Sequence, residues 1–214
     1  MKFAWYYRLV RLSARIVFVL TRVKVSGREN VPATGPMLVC CNHIHVADPP
    51  LLGLNLPRYP VYFLAKKELF DHKFVGRVFR GCGTIPVNRN GVSGAGIKLS
   101  QSVFKKGGAL IIFPEGKRNP EATLCEALPG AAYLAASFGV PILPAAILGT
   151  ENIKGKWWFF KPRTVTIKFG KPFTLDAGGD KTDRDALAVH GERIMKAIAE
   201  LLPAPNRGVY GEDA

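Results

Sequence analysis

Six short apolar runs, at residues 37–41, 61–65, 84–87, 109–113, 142–147 and 164–169, are spread along the chain, each bounded by Gly, Pro or charge. Between them the apolar spacing turns helical, most clearly over 93–104, 131–138 and 183–202. Asp48-Pro49-Pro50 adds a helix opening, since Pro is tolerated in the first turn. Strand alternating with helix predicts an α/β fold: a layered domain with a largely parallel central sheet flanked by helices. A chain of 214 residues can bury a core of that size, and neither an internal repeat nor a Gly/Ser- or Pro-rich linker divides it. The expected organisation is an N-terminal amphipathic helix over residues 1–24, one domain over 25–202, and a loosely ordered tail over 203–214.

Charge narrows the partners. A net charge of +14 with a pI near 9.9 attracts polyanions, leaving nucleic acid, an anionic bilayer surface and phosphorylated substrates open. Cys40, Cys41, Cys82 and Cys125 show no paired metal-ligand spacing and read as small core residues in a reducing compartment. Residues 1–20 fit neither a signal peptide nor a spanning helix, because Arg8, Arg11 and Arg15 interrupt the apolar content. Extended to Arg22, these arginines fall on one helical face opposite Phe3, Trp5, Leu9, Leu12 and Ile16. Such a helix suits the headgroup region of an anionic membrane, with ordinary packing on the domain as the rival reading.

In sheets of this type ligands gather beyond the carboxyl ends of the strands. His43 follows the run 37–41 directly, and Asp48 stands five residues later, about one helical turn away. A carboxylate there can hold one ring nitrogen and leave the other to take a proton. The run 109–113 leads into Pro114-Glu115-Gly116-Lys117-Arg118, the run 84–87 into Asn88-Arg89, and the run 61–65 into Lys66-Lys67. Arginines at two such ends, supported by Lys66, suit a phosphate better than a neutral substrate. Glu115 either orients an arginine or accepts a substrate hydroxyl.

These segments resemble the four ordered blocks of the glycerolipid acyltransferase family, most closely its PlsC-type 1-acylglycerol-3-phosphate acyltransferases. The blocks are His43-x4-Asp48, Gly83-Thr84-Ile85-Pro86-Val87-Asn88-Arg89, Phe113-Pro114-Glu115-Gly116 with Arg118, and Val140-Pro141-Ile142-Leu143-Pro144. The likeness extends from about Val25 to Phe173, which makes 25–202 the catalytic domain. It implies acyl transfer from acyl-CoA or acyl carrier protein, used as co-substrate, to the hydroxyl of 1-acylglycerol-3-phosphate, without a further cofactor or a metal. On that resemblance His43 is the general base and Asp48 orients it. Arg89 and Arg118 hold the acceptor phosphate, and Glu115 and Gly116 shape the pocket floor, with backbone N–H groups near Gly116 as oxyanion donors. The chain departs from the pattern at Lys117 and Asn119, where the family most often has Thr and Ser.

Other readings compete with this one. Another lysophospholipid or a glycolipid is an alternative acceptor, and a basic membrane- or nucleic-acid-binding protein without catalysis is the alternative class. No nucleic-acid-binding signature is present, so no nucleic-acid partner is expected. His43, His45 and Asp48 suggest a metallohydrolase only weakly, and no Gly-x-Ser-x-Gly elbow is found. The aromatic run from Trp157 to Phe160, flanked by Lys154, Lys156 and Lys161, reads as an interfacial loop or a buried hairpin. Together these features predict a peripheral protein on the cytoplasmic face of the cell membrane, bound to anionic lipids.

Overall fold

All six apolar runs enter one seven-stranded sheet in the computed structural model, which describes residues 7–87, 94–155, 162–175 and 183–211. The strands are β1 (Thr21–Ser26), β2 (Met37–Cys41), β3 (Val61–Lys66), β4 (Thr84–Val87), β5 (Ala109–Ile112), β6 (Ile142–Leu148) and β7 (Arg163–Phe169). Their order is β1-β7-β6-β2-β5-β3-β4, so β2 is central. Strands β2 to β6 run parallel to one another, whereas β7 is antiparallel to β6 and β1 follows β7.

The helices are α1 (Tyr7–Val17), α2 (Asp48–Asn55), α3 (Lys73–Gly81), α4 (Gly94–Lys105), α5 (Gly130–Phe138) and α6 (Arg184–Ala199). Residues of β2 alternate between two cores, one on each face. Leu38 and Cys40 join Val103 of α4, Leu134 of α5 and Ile194 of α6, while Met37, Val39 and Cys41 meet Leu51 and Leu52 of α2. Burial on both faces explains why the central strands read as continuous apolar runs. It also makes α6 core packing, through Leu187, Ile194, Met195 and Ile198.

The sequence boundaries need three corrections. Strand β1 was not expected, and Arg22 lies in it instead of extending the helical face, so the 24/25 boundary cuts a strand of the sheet. Helix α3 was likewise not foreseen. Through Gly211 the tail is docked, not loose: 3-10 turns form at Ala204–Asn206 and Gly208–Tyr210, and Tyr210 packs against the core. Asn206 ties it down, its carbonyl accepting from Leu124 N at 3.0 Å and its Nδ2 donating to Ala122 O at 2.8 Å. Among the described residues no helix is long and apolar enough to cross a membrane.

Candidate active site

The carboxyl ends of β2 and β5 lie side by side, and the loops leaving them build the site. Asn42, buried just after β2, prolongs the pairing with β6: its Nδ2 donates to Ile147 O at 2.9 Å and its Oδ1 accepts from Ile147 N at 2.8 Å. The chain then turns, and the start of α2 brings Asp48 back beneath His43. Asp48 Oδ2 accepts from His43 Nδ1 at 2.8 Å, from Ile44 N at 2.7 Å and from His45 N at 2.7 Å. A carboxylate oxygen only accepts, so His43 carries its proton on Nδ1 and presents Nε2 as the acceptor. Asp48 is 0% exposed and the His43 side chain 17%, so the pair is supported from within and open at the ring. Phe113, at the end of β5, stacks on His43 with centroids 4.1 Å apart and fixes the plane of the imidazole.

Glu115 sits beneath this pair, 4% exposed. Its Oε1 accepts from His43 N at 2.9 Å and its Oε2 from Cys125 N at 3.0 Å. Burial raises its carboxyl pKa, and the two backbone N–H groups oppose that shift. Glu115 therefore clamps the β2 loop to the β5 loop, and neither expectation, an arginine partner or an open acceptor for a hydroxyl, describes its contacts. Of the backbone donors expected near Gly116, its own N–H is spent within the turn, donating to Phe113 O at 3.0 Å. The turn requires glycine: φ is +64°, and a Cβ there would lie 2.2 Å from Leu128 Cδ1.

The departure at Asn119 has a structural account. Its N–H donates to His43 O at 2.7 Å, and its Nδ2 donates to Thr123 O at 2.7 Å, closing the loop that carries the cations. Lys117 and Arg118 are exposed on that loop. His45 is held back as a helix-entry residue, its Nδ1 accepting from Ala47 N at 3.2 Å. Its pKa is lowered chiefly by burial, with Asp48 opposing and Arg118, His43 and Arg163 adding to the fall.

The expected residues are thus only partly brought together. His43, Asp48 and Glu115 are in direct contact, with Gly116 and Arg118 on the adjoining loop. Lys66 ends β3 on the same edge, two strands or about 10 Å from β2, and is exposed. Arg89 lies outside the described residues, as does the run from Lys156 to Lys161. Among the described residues no group of three or more His, Cys, Asp or Glu side chains is placed to hold a metal ion. Asn42, Phe113 and Arg163 were given no role from the sequence, Phe113 standing there only as the first residue of its block. The first two flank strand ends already marked as important, whereas Arg163 reaches this edge only because β7 runs antiparallel.

Comparison with known proteins gives the family. A family model described as Acyltransferase matches residues 22–148. The 1-acyl-sn-glycerol-3-phosphate acyltransferase of Bacillus subtilis is 30% identical over 179 residues, covering 84% of this chain and 87% of the relative. That of Streptococcus pneumoniae is 32% identical over 60% of this chain, which spans 46% of the relative's length. Among solved structures, the 1-acyl-sn-glycerophosphate acyltransferase PlsC of Thermotoga maritima superposes with a TM-score of 0.69 at 25% identity, over 92% of this chain and 80% of that one.

Proposed function

The chain belongs to the acyltransferase family, and from that premise we propose that it transfers a fatty acyl group from the thioester of acyl-CoA or acyl carrier protein to the free hydroxyl of 1-acylglycerol-3-phosphate, giving phosphatidic acid. The observation that carries this reading is the three-donor environment of Asp48 Oδ2, which fixes the tautomer and ring position of His43. Nε2 of His43 accepts the hydroxyl proton as the oxygen attacks the thioester carbonyl. The tetrahedral intermediate then collapses, the C–S bond breaks, and the imidazolium returns its proton to the departing thiolate. Asp48 orients the ring and stabilises the imidazolium between the two transfers. Glu115, by holding His43 N, is a positioning residue.

Arg118, with Arg89 and Lys66, supplies charge for the acceptor phosphate, and the rim carries no carboxylate partner for Arg118 among the described ion pairs. The scheme consumes only the acyl donor and the acceptor and calls for no cofactor. A peripheral position at the membrane is supported by α1, and the face we propose is the cytoplasmic one. Leu9 and Leu12 are each 54% exposed and Ile16 63%, an apolar row at i, i+3 and i+7 facing outward, while Val10, Arg11, Ala14 and Phe18 turn toward the domain.

The test is acyl transfer by the purified chain across a panel of lyso-acceptors and both donor classes, beside His43→Ala. General-base removal is expected to lower turnover by roughly 10²–10⁴-fold. Undiminished transfer by that variant would sink the mechanism, and preference for another lysophospholipid or a glycolipid would move the acceptor assignment.

A further inference from the structure

A cavity of about 570 Å³ lies between α1, the far end of α2 and β1, away from the acyl-transfer site. Its lining includes four arginines, Arg11, Arg15, Arg28 and Arg58, and no Asp or Glu. Arg58 is a strut: its Nη1 donates to Pro32 O at 3.1 Å and Thr34 O at 3.4 Å, and its Nη2 donates to the carbonyls of Gly35 and Gly107. The Arg11 guanidinium stands over the Tyr59 ring, 5.2 Å from its centroid. Arg15 and Arg28 bring their charge to the same space from two elements, one from α1 and one from the 3-10 turn after β1. Like charges gathered in a partly enclosed space repel, and an anion between them reverses the sign of that interaction. Guanidinium forks match phosphate oxygens in particular.

Apart from Asn55, the rest of the wall is apolar or aromatic and includes Phe18, Leu51, Leu54 and Leu56. A bare phosphate would leave that surface uncovered, whereas a phosphodiester carrying an acyl chain uses both halves of the lining. The cavity is separate from the catalytic edge. Helix α2 starts at Asp48 under His43 and only its later residues, from Leu51 to Asn55, reach the cavity, while β1 starts at the catalytic edge and Arg28 follows its other end. We propose that this cavity binds one anionic phospholipid, phosphate on Arg15 and Arg28 and chain against Phe18 and Leu54, fastening α1 to α2. That the lipid comes from the bilayer rests on the interfacial position of α1 proposed above.

The experiment titrates the full chain with dihexanoyl phosphatidylglycerol below its micelle concentration, and separately with inorganic phosphate, by calorimetry. One saturable site is expected, weakened roughly tenfold or more, about 1.4 kcal/mol, in Arg15→Ala/Arg28→Ala. Leu54→Trp, which fills the space without touching charge, should weaken it similarly, and Arg118→Ala should leave it unchanged. Binding that survives the first two variants, or that falls only in Arg118→Ala, overturns the site. Inorganic phosphate binding as tightly as the lipid overturns the lipid assignment. Because the short-chain lipid is monomeric, the result stands apart from whether α1 binds vesicles.

Discussion

Asp48 acts through a single oxygen, since Oδ2 holds three donors while Oδ1 is buried without a hydrogen-bond donor among the described residues. Asp48→Asn keeps the size but removes the charge that steadies the imidazolium, and with its carbonyl oxygen on the three N–H donors it buries an NH2 group in the unpartnered place of Oδ1. Turnover should fall by roughly 10²–10⁴-fold with little change in KM, because a fully buried group does not meet substrate. Steady-state kinetics on both donors check this, and an unchanged kcat removes Asp48 from the mechanism. Glu115 permits a pH test. Its folded pKa is raised, so its contribution to stability is full below the ordinary carboxylate pKa and is lost as pH rises through the folded value. Thermal melts from acid to neutral pH should show wild type losing stability relative to Glu115→Gln as the pH rises, and a gap that widens in wild type's favour contradicts the assignment. The dyad was legible because its spacing is local. The role of Glu115 was not, since its partner His43 N is 72 residues away and is a backbone group that any residue would supply. For the same reason the N–H of Gly116 looked available in sequence and is occupied in the fold.

At the scale of elements, strands that read as apolar runs announced themselves, the edge strand β4 included, whereas the edge strand β1 did not. β1 alternates Arg22 and Lys24 with Val23 and Val25, a period-2 pattern over six residues that the seven-residue step from Arg15 to Arg22 disguised as helix. α3 was obscured by Gly76 and Gly81, each weakening the helical signal by about 1 kcal/mol. The existence of α1 could be read from its spacing, but its rotation is set by packing: Arg11 faces the α2 side and the leucines face out. Leu9→Ser/Leu12→Ser/Ile16→Ser should therefore cut co-flotation with anionic vesicles by roughly tenfold or more, since full burial of each parent side chain is worth about 1.5–3 kcal/mol. Far-UV circular dichroism should stay unchanged, as these side chains are exposed in the fold. Equal flotation of variant and wild type would reassign the row.

Strand direction decides where the charge of the whole molecule is felt. The parallel strands deliver the loops bearing His43, Lys66 and Arg118 to one edge, and the reversed β7 adds Arg163 at its first residue. Arg163 belongs to the electrostatics of His45 for that reason, although nothing in its sequence neighbourhood marks it. A rim of this sign in a chain of net charge +14 draws anionic surfaces over distances that salt shortens, from a screening length of about 10 Å at 0.1 M to about 3 Å at 1 M. Buried and partly buried contacts inside the site, which exclude the screening ions, are weakened far less. Raising salt over this range should thus weaken binding to anionic vesicles by an order of magnitude or more, leave binding to neutral vesicles nearly constant, and slow turnover of a monomeric short-chain acceptor only a few-fold. Sedimentation with vesicles of both kinds, run beside the soluble assay, separates the two effects. A parallel collapse of both would mean that the cations of the rim act on the substrate alone and not on the surface that carries it.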